Sequence, residues 1–283
     1  MKAVRQTVTL PEIELSYLEW GVSGNEPVLL LHGLADHAGV WSNCGESLSS
    51  AYHVVAPDLR GHGNSSKPKT GYRSIDIIRD LQHLMQHFGW NSAHIVGHSW
   101  MGKVVPKWAT LHPEQFNTAV LVDPFFIGKL PELFRLTFPF LYRVLPFLKG
   151  MGPFETYDAA VERAKTLKQY RGWSALQQNA FKESIEEKPN GTWGSKFTED
   201  ARDGVFEDVM LVSGLTQEID VPTLFVKPLE GLNRTAFQLK PYRRYLKKLE
   251  IREVPGNHWA FLVEPEAFSV TLLEYFKQHP VSP

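Results

Sequence analysis

Short runs of apolar residues, several of them closed by glycine, proline or aspartate, recur along the chain. The run VLLL at 28–31 is followed by His32 and Gly33, and the run TAVLV at 118–122 is followed by Asp123. Runs of this kind are typical of strands buried on both faces of a sheet. The pattern predicts strands at 7–10, 13–20, 28–31, 52–57, 93–96, 118–122, 222–226 and 249–254.

Segments with helical spacing alternate with these strands. Between 75 and 88, apolar side chains fall at Ile75, Ile78, Leu81, Met85 and Phe88. That spacing places them on one face of a helix. Further helices are predicted at 41–50, 103–111, 234–248 and 264–278. This alternation favours an α/β fold with a mostly parallel sheet and helices on both of its faces.

The alternation stops between residues 125 and 219. This interval is rich in Phe, Leu and Pro at first and becomes amphipathic and charged later. It predicts a helical cap inserted over the edge of the sheet at which the strands end, where open α/β sheets bind their ligands. The predicted core therefore comprises 1–124 and 220–283, with 125–219 as the inserted cap.

Composition narrows the class of protein and its partners. The 283 residues are 43% hydrophobic and 22% charged, which is enough for one large core, or for one core with a smaller appended unit. Lys and Arg number 30 and Asp and Glu number 31, for a net charge of −1. This balance indicates no nucleic acid or anionic membrane as partner, because both require an excess of basic residues.

The sequence lacks the patterns of a membrane span, a signal peptide, a disulfide and a metal or phosphate site. No stretch reaches the roughly 20 apolar residues of a membrane span, and the N-terminus has no apolar core of signal-peptide length. Cys44 is the only cysteine, which fits a reducing compartment. No His, Cys and Asp cluster has metal-ligand spacing, and no glycine-rich phosphate loop is present. We expect a cytoplasmic protein with no metal, no cofactor and no membrane span.

Ser99 carries the strongest chemical signal. It lies in the stretch GHSWMG at 97–102, directly after a predicted strand and before a predicted helix. A sharp strand-to-helix turn exposes a serine hydroxyl and directs the next amide toward the reacting oxygen. Gly97 supplies the small residue before the serine, but Met101 stands where a second glycine is expected, and Gly102 follows one position later.

A serine hydroxyl needs a base, and position favours His258 among the 11 histidines. It follows the last predicted strand, beyond Ser99 in the chain order of nucleophile, acid and histidine. A base there reaches the serine from a loop at the same sheet edge. The loop His32-Gly33-Leu34, after an early strand, supplies a second amide beside that of Trp100 to stabilise an oxyanion.

Five stretches together resemble the successive landmarks of the α/β-hydrolase superfamily. They are VLLLHG, APDLRGHGNSSKP, VGHSWMG, AVLVDP and VPGNHWAFLVEPEAF, in the family's order. The resemblance covers nearly the whole chain outside 125–219. It implies an eight-stranded, mostly parallel sheet with a helical cap after the sixth strand.

The resemblance also implies roles for individual residues. Ser99 is the expected nucleophile, His258 the base, and the amides of Leu34 and Trp100 form the oxyanion hole. In the haloalkane dehalogenase and epoxide hydrolase branches the nucleophile is an aspartate. Because Ser99 occupies that place here, those two reactions are disfavoured.

The acid of the triad has two candidates. In many members of the superfamily it follows the seventh strand, where this chain has Glu230 and then Gly231 in the aspartate place. Other branches carry it after the sixth strand, where this chain has Asp123. The strand before Asp123 fixes its backbone, whereas Glu230 lies in a loop and has a longer side chain to immobilise. We expect Asp123 to orient His258, with Glu230 as the alternative.

Five further residues adjoin these positions in the sequence and are candidates for the substrate pocket. They are Asp36, His37, Phe125, Phe126 and Trp259.

The sequence thus predicts a carboxylesterase-like serine hydrolase. It would cleave an ester-like bond in a small, largely apolar substrate through an acyl-enzyme. Two alternatives stay open: a C–C bond hydrolase or cofactor-free lyase that uses the same triad, and a non-catalytic ligand receptor. Met101 in the turn and the missing aspartate at Gly231 are the features that favour a receptor.

Overall fold

The computed structural model describes residues 1–138, 140 and 152–280. Within them, the largest sheet has eight strands: β1 (Val4–Thr9), β2 (Glu14–Trp20), β3 (Glu26–Leu31), β4 (Tyr52–Pro57), β5 (Ala93–His98), β6 (Phe116–Val122), β9 (Thr223–Glu230) and β10 (Leu249–Asn257). Their order in the sheet is β1-β2-β4-β3-β5-β6-β9-β10. β2 pairs antiparallel with β1 and with β4, and all other neighbours are parallel.

Helices cover both faces of this sheet, which is why its central strands are continuous apolar runs. Along β3, Leu29 belongs to the apolar cluster that contains Trp108, and Leu30 belongs to the cluster on the other face that contains Phe268. The helices are α1 (Ser42–Leu48), α2 (Ser74–His87), α3 (Met101–Leu111), α4 (Tyr157–Lys165), α5 (Ala175–Ser184), α6 (Glu199–Leu211), α7 (Ala236–Tyr245), α8 (Ala260–Val263) and α9 (Pro265–Gln278). The predicted eight-stranded, mostly parallel sheet with helices on both faces is confirmed.

The insertion, residues 125–219, lies between β6 and β9. It contains α4, α5 and α6 and also a small hairpin that the sequence pattern did not predict, β7 (Ile185–Glu187) paired antiparallel with β8 (Trp193–Ser195). Residues 139 and 141–151 of the insertion lie outside the described residues.

The sheet topology gathers the predicted chemistry at one edge. Ser99 follows β5, Asp123 follows β6, Glu230 ends β9 and His258 follows β10. These four strands are neighbours and run parallel, so their carboxyl ends meet at the same edge. In the described residues, no helix is both long enough and apolar enough to cross a membrane.

Candidate active site

Ser99 occupies a strained turn between β5 and α3. Its φ is 56°, in the left-handed region that non-glycine residues rarely adopt. The surrounding backbone holds it there: the Ser99 amide donates to the Val122 carbonyl at 3.0 Å, and the Ser99 carbonyl accepts from Phe125 and Gly102, each at 3.0 Å. Strain of this kind persists only where neighbouring structure enforces it, and it clusters at functional sites.

The two glycines that flank Ser99 are both required by close packing. A Cβ on Gly97 would lie 2.7 Å from the Met101 carbonyl oxygen, and one on Gly102 would lie 3.0 Å from the Pro124 side chain. Met101 itself is fully buried in the apolar cluster of that face. The turn therefore needs its second glycine at 102 rather than at 101, which explains the departure from the expected motif.

His258 is bound to a buried carboxylate. Its Nδ1 lies 2.6 Å from Oδ2 of Asp123, which has no solvent exposure. The same carboxylate accepts hydrogen bonds from the Leu232 amide at 2.7 Å and from the Asn233 side chain at 2.9 Å. Burial acts to raise the pKa of Asp123, but the bonds and charge of His258 and the donors at 232 and 233 outweigh it and hold the pKa below its ordinary value. Asp123 is therefore an anion at neutral pH.

The other candidate acid lies elsewhere. Glu230 is exposed and pairs with Arg171 of the insertion, with N–O distances of 2.7 and 3.2 Å. A Cβ on Gly231 would lie 2.7 Å from Oδ2 of Asp123. A side chain after β9 and the Asp123 carboxylate thus compete for one space. The structure brings Asp123, and not Glu230, to His258.

The loop after β3 is fixed by the neutral side chain of His32. The Leu59 amide donates to His32 Nε2 at 3.0 Å, so the proton is on Nδ1, which donates to the Gly33 carbonyl at 2.8 Å. Beyond this turn, Ala35 has a φ of 63°. The amide of Leu34 donates no hydrogen bond to another described residue, and neither does that of Trp100. Both are free to bind a developing oxyanion.

A cavity of about 570 Å³ contains the predicted nucleophile, base and oxyanion residues in its wall. Its lining residues are Leu34, Ser99, Trp100, Phe125, Arg163, Thr166, Leu167, Lys168, Gln169, Val205, Phe206, Val209, Glu230, Gly231, Leu232, Arg234, His258 and Trp259. Among the side chains that the structure describes, no three His, Cys, Asp or Glu are grouped to hold a metal ion.

Phe125 and Trp259 line this cavity, but the expectation for the other three pocket candidates needs correction. Asp36 is buried and accepts a hydrogen bond from Trp259 Nε1 at 3.1 Å. His37 donates from Nε2 to the Ala180 carbonyl in α5 at 2.8 Å. Phe126 is absent from the lining; it is exposed, and its ring lies 5.2 Å from the Lys103 ammonium. Tertiary contacts thus occupy the side chains of Asp36 and His37.

His98 is a site residue whose position the sequence did not reveal. Its Nε2 donates to the His258 carbonyl at 2.9 Å, and its Nδ1 lies 3.5 Å from Oδ2 of Asp36. A Cβ on Gly33 would lie 2.6 Å from that Nδ1. His98 and Asp36 therefore join the loop after β3 to the loop that carries His258. In the sequence, the only indication that His98 belongs to the site is its position next to Ser99.

Comparison with known proteins agrees with this fold. The family model described as the alpha/beta hydrolase fold matches residues 26–265. The chain belongs to the α/β-hydrolase family. The resemblance found in the sequence is thereby confirmed, and the chain is a hydrolase of this type.

Two relatives and one solved structure share 20% to 27% of their sequence with this chain. A serine hydrolase-like protein of Danio rerio is 26% identical over 97% of this chain and 88% of its own length. A fluoroacetate dehalogenase of a Burkholderia species is 27% identical over 84% of this chain and 83% of its own length. The crystal structure of E-2-(acetamidomethylene)succinate hydrolase superposes with a TM-score of 0.78 at 20% identity, over 97% of this chain and 99% of that one. This last likeness shows the fold alone.

The His32 contact predicts a pH dependence of stability. Burial lowers the pKa of His32 from 6.5 to about 4, although its bond to the Gly33 carbonyl acts in the opposite direction. The unfolded chain therefore binds a proton that the folded chain excludes. The stabilisation is complete above pH 6.5 and is lost as the pH falls toward 4, by about 3 kcal/mol.

Urea unfolding of the wild type and of His32→Gln at pH 7 and pH 4.5 measures this effect. Gln keeps an acceptor for the Leu59 amide but does not titrate. We expect His32→Gln to lose less stability between the two pH values than the wild type loses. An identical loss in both proteins would show that His32 is not excluded from protonation.

Proposed function

We propose that this protein is a serine hydrolase that cleaves an ester-like bond in a substrate with a small apolar acyl group, through an acyl-enzyme. One observation carries the proposal. Ser99 and His258 line the same cavity as Leu34 and Trp100, and His258 Nδ1 is bound to a buried carboxylate. A nucleophile, an oriented base and two oxyanion donors are the set that acyl transfer requires.

The bond to Asp123 determines which ring nitrogen of His258 acts as the base. Because the carboxylate accepts a hydrogen bond from Nδ1–H, Nε2 carries the lone pair in the neutral ring. Nε2 takes the Ser99 proton as the oxygen attacks the substrate carbonyl. The Asp123 anion then stabilises the imidazolium that forms, without itself taking the proton.

The amides of Leu34 and Trp100 act on the tetrahedral intermediate. Its oxygen gains a full negative charge as the Ser99–carbon bond forms, and a preorganised amide donor in a water-poor site is worth about 3 kcal/mol at that point. His258 returns its proton to the leaving alcohol or thiol. It then accepts a proton from the water that attacks the acyl-enzyme, and passes that proton to Ser99 Oγ as the bond between Oγ and the acyl carbon breaks, which releases the acid and restores the Ser99 hydroxyl.

The identity of the nucleophile supports esters over halides and epoxides. An aspartate that displaces a halide or opens an epoxide forms an ester, which water can hydrolyse. A serine in the same place would form an ether with those substrates, and a base and two amides supply no route to cleave it. Ser99 therefore favours carbonyl substrates, in which the intermediate is a hydrolysable ester.

The features that had favoured a non-catalytic receptor have structural explanations. Met101 is accommodated because Gly102 provides the close approach to Pro124. The lack of a side chain at Gly231 makes room for the Asp123 carboxylate. Neither feature indicates a lost function.

A fluorophosphonate probe tests the nucleophile directly. We expect it to label the wild type stoichiometrically and to label Ser99→Ala not at all, because only an activated serine reacts. His258→Ala should slow labelling and reduce hydrolysis of para-nitrophenyl butyrate by at least about 10³-fold in kcat. Labelling that persists in Ser99→Ala would refute the proposal.

Moving the acid from one strand end to the other tests its role. Asp123→Ala should lower kcat by about 10³- to 10⁴-fold. The Cβ of an aspartate at 231 would lie 2.7 Å from the present position of Asp123 Oδ2, so its carboxylate starts close to the vacated space, and Asp123→Ala with Gly231→Asp should recover at least about tenfold of the loss.

Asp123→Ala with Gly128→Asp is the control for this exchange, since residue 128 is not part of the cavity lining. It should recover nothing. If the Gly231→Asp combination is no better than this control, the shared space at 123 and 231 does not serve to orient the base.

The apolar wall formed by α6 predicts a dependence on acyl length. Val205, Phe206 and Val209 are buried and line the cavity. Each acyl methylene that they cover contributes about 0.8 kcal/mol. We expect kcat/KM to rise from acetyl to hexanoyl para-nitrophenyl esters and this rise to shrink in Val209→Ala.

Val270→Ala is the matched control, because Val270 is half exposed on α9. It should leave the chain-length ratio as in the wild type. A Val209→Ala enzyme with an unchanged ratio would mean that the acyl group does not contact α6.

A further inference from the structure

The cavity that contains Ser99 has a charged part as well as an apolar part. Three basic side chains line it: Arg163 at the end of α4, Lys168 just after it, and Arg234 beyond β9. Glu230 is the acidic residue among the lining side chains. The lining therefore carries two net positive charges, although the whole chain carries −1.

None of the three cations has a carboxylate within ion-pair distance in the part of the chain that the structure describes. Arg163 donates to the Thr166 hydroxyl at 3.3 Å. Arg234 donates from Nε to the Gly231 carbonyl at 2.8 Å and from Nη2 to the Glu230 carbonyl at 3.3 Å. These neutral acceptors hold the guanidinium groups without cancelling their charge.

The nearby carboxylate is already neutralised. Glu230 binds Arg171, which comes from the insertion, through two hydrogen bonds. These bonds lower the pKa of Glu230, and Arg171, Arg234 and Lys168 each add to the shift by their charge. The pair of Glu230 with Arg171 leaves the three other cations without a counter-ion.

The apolar and the charged lining residues differ in solvent exposure. Trp100, Val205 and Val209 are buried, so the apolar part is the interior. Lys168 and Arg234 are exposed, so the charged part is the mouth. The cavity is therefore complementary to a molecule with an apolar end in the interior and a negatively charged group at the entrance.

We propose that the natural substrate carries an anionic group, a carboxylate or a phosphate, on the alcohol or thiol that leaves, and that Arg163, Lys168 and Arg234 bind it. This rests on the proposed function, because it assigns the apolar interior to the acyl group. Guanidinium groups suit planar or tetrahedral oxyanions through paired N–H donors, and the lysine ammonium adds a point charge. A cationic mouth also raises the rate at which an anionic substrate arrives.

The experiment compares three butyrate esters that differ in one group of the leaving phenol. They are the esters of para-hydroxybenzoate, of hydroquinone monophosphate and of the neutral para-hydroxybenzamide. We expect kcat/KM for at least one anionic ester to exceed that for the benzamide ester by about tenfold at low salt, and the excess to shrink at high ionic strength. The ester with the larger excess distinguishes a carboxylate from a phosphate.

Charge-removing variants connect the preference to the mouth. Lys168→Gln, Arg163→Gln and Arg234→Gln should each lower the anionic-to-neutral ratio by about two- to fivefold. Lys2→Gln should leave the ratio unchanged, because Lys2 is an exposed lysine that does not line the cavity and precedes β1, the outermost strand on the side of the sheet away from β9 and β10.

The two levels of proposal fail in different ways. If the wild type hydrolyses the benzamide ester as well as both anionic esters, the anionic substrate is refuted and the serine hydrolase stands. A preference that survives in all three variants also refutes the binding site. If no ester is hydrolysed and Ser99 is not labelled by fluorophosphonate, both proposals fall.

Discussion

The edge of the sheet that carries the candidate active site is organised by one fully buried carboxylate. An anion without access to water must have its oxygens bonded, or its burial costs several kcal/mol. Asp123 meets this demand with donors from two other segments, the turn after β9 and the loop after β10. The ends of three adjacent strands are thus held in one arrangement by a single side chain.

The same requirement links stability to chemistry. The donors that bind Asp123 include the ring of His258, which we propose as the base. The group whose protonated form the carboxylate would stabilise therefore also helps to keep that carboxylate buried. His98 and Asp36 hold the His258 loop from the other side, through the His258 carbonyl and the Trp259 indole. His258 is therefore positioned by both its side chain and its backbone before any substrate binds.

The sheet and the positions of Ser99 and His258 could be predicted because they depend on short stretches of sequence. The apolar runs of β3 to β6 are buried on both faces, so their pattern is unbroken, and Ser99 and His258 follow strands whose ends the topology gathers. The hairpin of β7 and β8 escaped prediction because three residues per strand are too few to show a period. Asp36 and His37 were misplaced because their partners, Trp259 and Ala180, are distant in the chain. The cationic mouth could not be predicted either, because Arg163 and Lys168 are distant in the chain from Arg234.

The close approach of Gly231 to Asp123 makes two distant positions of this chain interdependent. A Cβ at 231 would lie 2.7 Å from Oδ2 of Asp123, so a larger residue there must displace either the carboxylate or the turn after β9. Because the same carboxylate also binds Leu232, Asn233 and His258, a substitution at 231 acts on the geometry of His258 without touching its ring. Position 231 therefore behaves as part of the candidate site although glycine has no side chain to contribute.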